Sequence, residues 1–178
     1  MDFFVEHKIG KRQFAGYQQY NATDIINALQ QYWTRDTFCV LGLTNEHLYP
    51  RKEWSFVEGL TDKPSRCGVA SFARHGEWLG TRLSEEQKHV KWLKRCCATI
   101  VRQGCQMFGL KHCIYYECAM NASNSSREND NIENRILCPI CLCKLKTNLK
   151  FDCMERYAKL IDVSASLGFE AKTILYSQ

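Results

Sequence analysis

Four cysteines set the strongest limit on how this chain of 178 residues can fold. Cys113 and Cys118 come from one stretch, Cys138 and Cys141 form a C-x-x-C pair in the next, and some twenty mostly polar residues join them. Two short-spaced pairs of this kind can close a tetrahedral four-thiolate zinc site. Such a site has no open coordination position, so it stabilises rather than catalyses. The connecting stretch 121–134 is rich in Asn, Ser and charged residues, and could not bury enough apolar surface to fold by itself. We therefore expect one structural zinc per chain, held by these four residues and pinning that loop. Cys143 is one cysteine too many and reads as a bystander.

The cysteine total is eleven, an odd number, and the opening Met1-Asp2-Phe3-Phe4-Val5-Glu6-His7-Lys8 lacks the small-residue cleavage pattern of a secretion signal. Reduced or metal-bound thiols fit this better than a disulfide framework. No apolar run is long enough to span a bilayer. The expectation is a monomeric intracellular protein, cytoplasmic or nuclear, with no membrane partner. The net charge of +5 is modest. Lys88, His89, Lys91, Lys94 and Arg95 form a basic cluster that could meet phosphate or acidic peptides but reads first as a solvated helix face, and no interleaving of aromatic and basic residues points to nucleic acid.

Hydrophobic periodicity predicts a helix from Asn21-Ala22-Thr23-Asp24 onward, with Ile25, Ile26, Leu29 and Tyr32 on one face. Three short apolar runs, at 37–44, 54–60 and 67–73, read as strands of a mixed sheet, and Asp62-Lys63-Pro64-Ser65 reads as a turn. A further strand is expected at Phe3-Phe4-Val5. Ser84 with Gln87 looks like a capping box opening a long helix. Its buried face would carry Val90, Leu93, Cys97, Ile100 and Val101, and Gly109 would end it. Another helix is expected after Lys150, capped at Gly168, and Lys172 to Tyr176 reads as a short strand or packed tail. Trp78 is expected against the core, and Glu58, inside an apolar run, has no evident role.

The long helix ends in Arg102-Gln103-Gly104-Cys105-Gln106-Met107-Phe108-Gly109-Leu110-Lys111-His112-Cys113, and the intervals downstream are C-x4-C-x-M-x17-C-x-x-C. This resembles the archaemetzincin signature H-E-x-x-H-x-x-G-x-x-H-C-x4-C-x-M-x17-C-x-x-C, matched at Gly109, His112, Cys113, Cys118, Met120, Cys138 and Cys141. The resemblance implies an α+β, zincin or metzincin-like fold. A mixed β-sheet would pack on the active-site helix, and a four-cysteine zinc-bound subdomain would follow. It implies one domain over 1–178, with an N-terminal part to about residue 110 and a zinc-stapled part after it. It also makes His112 a remnant catalytic-zinc ligand and Met120 the methionine of the Met-turn. By the same analogy the strand from Gly68 to Arg74 would be the sheet edge that receives an extended peptide or protein ligand.

Where the signature has two histidines and a glutamate, this chain has Arg102, Gln106 and Gln103. Guanidinium stays protonated and offers no acceptor to a cation. A neutral amide is a poor zinc ligand, and glutamine cannot take a proton from water as glutamate does. The zinc chemistry of a peptidase needs about three protein ligands and an open position, and only His112 remains. Cys105 could in principle join His112 at a metal, but it lies about 100° around the helix from Gln106 and reads as a small core residue. The reading is a metallopeptidase homologue that is catalytically inactive and without a catalytic zinc. The alternatives are a peptidase with a non-standard site, or a zinc module serving as an interaction surface.

Overall fold

In the computed structural model, which describes residues 2–77, 79–123, 130 and 136–169, two small sheets and a set of α-helices follow among the described residues in the order α1 Phe3–Glu6, β1 Lys11–Phe14, β2 Tyr17–Asn21, α2 Ala22–Leu29, β3 Val40–Thr44, β4 His47–Tyr49, β5 Gly59–Asp62, β6 Cys67–Ser71, α3 Glu85–Met107, α4 Pro139–Leu149 and α5 Cys153–Ser166. One sheet has the order β1-β2-β4 and the other β3-β6-β5. In the second, β6 runs parallel to β3 and antiparallel to β5, so the expected mixed sheet is present. The expectations for Trp78 and for Lys172 to Tyr176 lie outside the described residues.

Local chemistry explains most boundaries. The Asn21 side chain accepts from Thr23 and Asp24 N–H and starts α2, whose Ala22, Ile25, Ile26 and Leu29 are buried. Ser84 and Gln87 form the reciprocal capping box that opens α3. At the other end Gly109 takes φ +91°, a left-handed conformation that only glycine adopts cheaply. The β1–β2 hairpin turns through Ala15 and Gly16, both at positive φ. The first segment departs from expectation, since Phe3–Glu6 is a helical turn capped by Asp2 and not a strand. Its Phe4 ring stacks on Tyr20, with centroids 4.1 Å apart. Helix α4 was not expected either. Cys138 is its N-cap and Pro139 its first residue, a favourable combination at a helix start.

All five residues of β6 are buried, because the strand is covered on both faces. Cys67 and Val69 join Ile25, Ile26 and Leu29 of α2 in one apolar core. On the opposite pleat the strand pairing sets Gly59 against Ala70 and Thr61 against Gly68. Helix α3 packs on this face of small residues. That strand cannot serve as a peptide-receiving edge from Gly68 to Arg74. Its backbone groups are shared between β3 and β5, and beyond its end Phe72 N–H is bonded to Thr44 O at 2.9 Å. An extended chain needs unpaired donors and acceptors, and β6 is the centre of its sheet.

The inward face of α3 is also corrected. Val101 is exposed, and the residues that α3 buries include Arg95, Thr99, Arg102 and Gln103. Burial of so polar a stripe requires partners. Arg95, 1% exposed, is therefore no part of a solvated face. It donates to His75 O at 2.7 Å and to Glu77 O, and its guanidinium pairs with Asp130 at 2.6 Å. Lys91 reaches the same carboxylate at 2.9 Å. Thr99 Oγ1 lies 2.9 Å from Nε2 of His75, which is fully buried. The hydrogen bonds of this stripe thus come from the 75–77 turn, Thr61, Ser123 and Asp130.

Removing one partner of a buried ion pair leaves the other charge stranded, so Arg95→Ala should lower the unfolding free energy by about 3–5 kcal/mol in a denaturant titration. Burial pushes the Asp130 carboxyl up, but hydrogen bonds and charge from Arg95 and Lys91 outweigh it and hold the pKa below its ordinary 3.8. A depressed carboxylate stabilises fully above its unfolded pKa, and the contribution fades as pH falls through the lower folded value. Asp130→Asn should therefore be less stable than the parent chain near pH 7, and the two should converge as pH falls through the lowered folded value.

Candidate functional site

The loop that leaves α3 brings four sulfurs together. Cys113 follows Leu110 and His112 out of the Gly109 turn, and its N–H donates to Met120 O at 2.9 Å. Cys118 precedes the fully buried Met120, while Cys138 and Cys141 lie at the start of α4. The four sulfurs lie within 4.8 Å of one another and all four residues are buried. Cys113 and Cys138 sulfurs are 3.7 Å apart, close to the roughly 3.8 Å separation set by tetrahedral zinc with Zn–S bonds of about 2.3 Å.

Backbone N–H groups already point at these sulfurs. Met120 and Cys138 direct theirs at Cys118 Sγ, at 3.4 and 3.3 Å, and Cys141 directs its own at Cys138 Sγ, at 3.5 Å. Burial pushes the Cys118 and Cys141 thiols up. At Cys113 burial acts the same way, but hydrogen bonds from the backbone of Tyr115 and Tyr116 outweigh it and bring the thiol down to about 7. Four buried thiolates would repel one another strongly, and a divalent cation removes that conflict. The donor set fits zinc, a closed site in an apolar shell of Leu110, Leu137 and Leu145. Cys143 is exposed and outside the cluster.

The altered positions sit at the last turns of α3. Gln106 Nε2 and His112 Nε2 are 3.3 Å apart, so the structure does bring these two positions of the signature together. Arg102 is buried and donates through Nη1 to Ser123 Oγ at 2.9 Å. Gln103 turns to the sheet, where Thr61 Oγ1 donates to its Oε1 at 2.6 Å. A Cβ built on Gly59 would fall 2.6 Å from the Gln103 amide nitrogen, so glycine is needed for this approach. Cys105 is buried in the core beside the cysteine cluster, where burial pushes its thiol up to about 11. Among the described residues no second group of three or more His, Cys, Asp or Glu side chains converges. Glu58 lines a small recess with His47, Ser71 and Arg74.

A larger groove, of about 880 Å³, runs between the 109–115 loop and one side of α4, with His112 in its wall. The sequence gives little sign of it, because α4 buries only Cys141 and Leu145 and has little amphipathic pattern.

No family model matches the chain. Archaemetzincin-2 of Macaca fascicularis is 33% identical over 165 aligned residues, covering 80% of this chain and 46% of that protein. The chain thus spans less than half the length of this curated relative. The crystal structure of archaemetzincin from Methanopyrus kandleri superposes with a TM-score of 0.59 at 31% identity, covering 75% of this chain and 67% of that one. The chain belongs to the archaemetzincin family. A second archaemetzincin structure, from Archaeoglobus fulgidus and complexed with malonate, gives a TM-score of 0.53 at 28% identity, over 71% of this chain and 69% of that one. The α+β architecture expected of an archaemetzincin is the one observed, and no helix among the described residues is long and apolar enough to cross a membrane.

Two outcomes follow from the geometry. Gly59→Ala forces the buried Gln103 amide away from Thr61 and should cost about 1–3 kcal/mol; in a double-mutant cycle Gln103→Ala should recover most of it. Because protons compete with metal for thiolate, zinc uptake by the stripped chain at pH 7.5 should release protons, measurable by calorimetry in buffers of different ionisation enthalpy. Acidification should reverse the uptake.

Proposed function

We propose that this archaemetzincin-family chain is a zinc-stapled domain that does not hydrolyse peptides. The observation that carries the proposal is the donor set at the end of α3. Arg102 brings a permanent cation bonded to Ser123, and Gln103 brings an amide engaged with Thr61. Gln106 is an amide beside His112, the only imidazole of the altered signature. One imidazole does not supply the roughly three ligands of a catalytic zinc, and nothing at Gln103 can act as general base toward water. The residues present do not fit a catalytic zinc, and no hydrolytic step is assigned to them. The structural role falls to Cys113, Cys118, Cys138 and Cys141. Closing that site links the loop after α3, the Met120 turn and the start of α4, and binding energy in such sites is folding energy.

The test compares the parent chain with the triple variant Arg102→His, Gln103→Glu, Gln106→His, each assayed for zinc by elemental mass spectrometry and for cleavage of a mixed quenched-fluorescent peptide library. The parent should carry one zinc and cleave no faster than buffer, and the variant should take up a second zinc. Chelator-sensitive cleavage by the parent, or two zincs in it, would overturn the proposal.

A further inference from the structure

The groove beside α4 has a chemistry that neither a structural zinc nor a lost peptidase site requires. One wall is the 109–115 loop and the other is a single side of α4, bearing Pro139, Ile140, Cys143, Lys144, Thr147 and Asn148. Its lining includes Cys113 and Cys141, so a zinc held by the four cysteines would also tie the two walls together. The charged or titratable nitrogen side chains that line it are Lys111, His112 and Lys144, and no lining residue is acidic. Helix α4 carries Lys144 and Lys146 and no acid. The flank is apolar and open to solvent, with Ile114 85% and Tyr115 62% exposed. The Lys144 ammonium lies 5.7 Å from the Tyr115 ring centroid, bridging the two walls. Adjacent apolar and cationic surface with no acidic side chain in its lining is complementary to a ligand with both apolar side chains and carboxylates.

We infer that this groove binds a short linear acidic peptide segment, seating an apolar side chain between Ile140 and Tyr115 while Asp or Glu residues on either side meet Lys111 and Lys144. Side-chain lysines contact carboxylates as point charges, so the groove selects composition more than register. The inference goes beyond the proposed loss of catalysis and does not rest on it, since a chain that cleaved peptides would present the same groove.

The probe is the fluorescein-labelled peptide Asp-Glu-Leu-Asp-Phe-Glu-Asp, titrated with the zinc-loaded chain and followed by fluorescence anisotropy. Comparison ligands are a Lys-for-acid version, a Ser-for-Leu/Phe version and a ten-nucleotide oligothymidylate. The acidic peptide should bind with a Kd on the order of micromolar, and the two altered peptides should bind about tenfold or more weakly. Lys111→Glu with Lys144→Glu should weaken the acidic peptide by a similar factor while zinc content stays unchanged. A milder pair, Lys111→Gln with Lys144→Gln, covers misfolding of the charge reversal and should give a smaller loss. Equal binding of all three peptides, tighter binding of the oligonucleotide, or unchanged affinity in both lysine variants would overturn the inference. Loss of zinc from both variants with peptide affinity intact would show that the lysines only offset the thiolates, and would overturn it as well.

Discussion

Four cysteine sulfurs held within 4.8 Å of one another in a buried pocket are the constraint on which the second half of the chain depends. Such a cluster cannot ionise fully without a cation, and as mostly neutral thiols it offers little to hold two loops and a helix start in register. With a divalent metal the same atoms fix Cys113 beyond the end of α3, seat Met120 in the core and set the N-terminus of α4. The polar stretch between Cys118 and Cys138 is then tied twice, by the metal and by Asp130 on Arg95.

The first half of the molecule is organised differently. Apolar burial gathers on the α2 side of the sheet, while the α3 side is a surface of glycine, alanine and threonine met by a polar helix stripe. Small residues on the sheet let Gln103 approach closely, and Arg95, Thr99, Arg102 and Gln103 on that stripe each make a hydrogen bond within the protein. Arg102 and Gln103 therefore have a packing role, independent of any metal. Those hydrogen bonds order the last turns of α3 by contacts within the protein alone.

What the sequence disclosed and what it hid divide along the same physical line. The cysteine cluster was legible because metal geometry demands particular residues at particular spacings, and the caps at Asn21 and Ser84 were legible because orphan N–H groups demand particular side chains. The approach of Gln106 to His112 is a finding of the structure. The inward face of α3 was misread because apolar periodicity presumes an apolar neighbour, whereas Arg95 and Thr99 find theirs in the 75–77 turn and at Asp130, remote in sequence. The central place of β6 was misread for a related reason: which strand lies at an edge depends on pairing, and Cys67–Ser71 looks alike in either position. The β1–β2 hairpin gave little signal, since Ala15 is an unusual residue at positive φ, and α4 gave little because it buries only Cys141 and Leu145.

The ligand shell of the bound metal tests this account most directly. X-ray absorption at the zinc edge on the purified parent chain should show four sulfur scatterers at about 2.3 Å and no light-atom shell. A nitrogen or oxygen shell at about 2.0–2.1 Å, removed by His112→Ala, would contradict it by placing zinc at the altered end of α3.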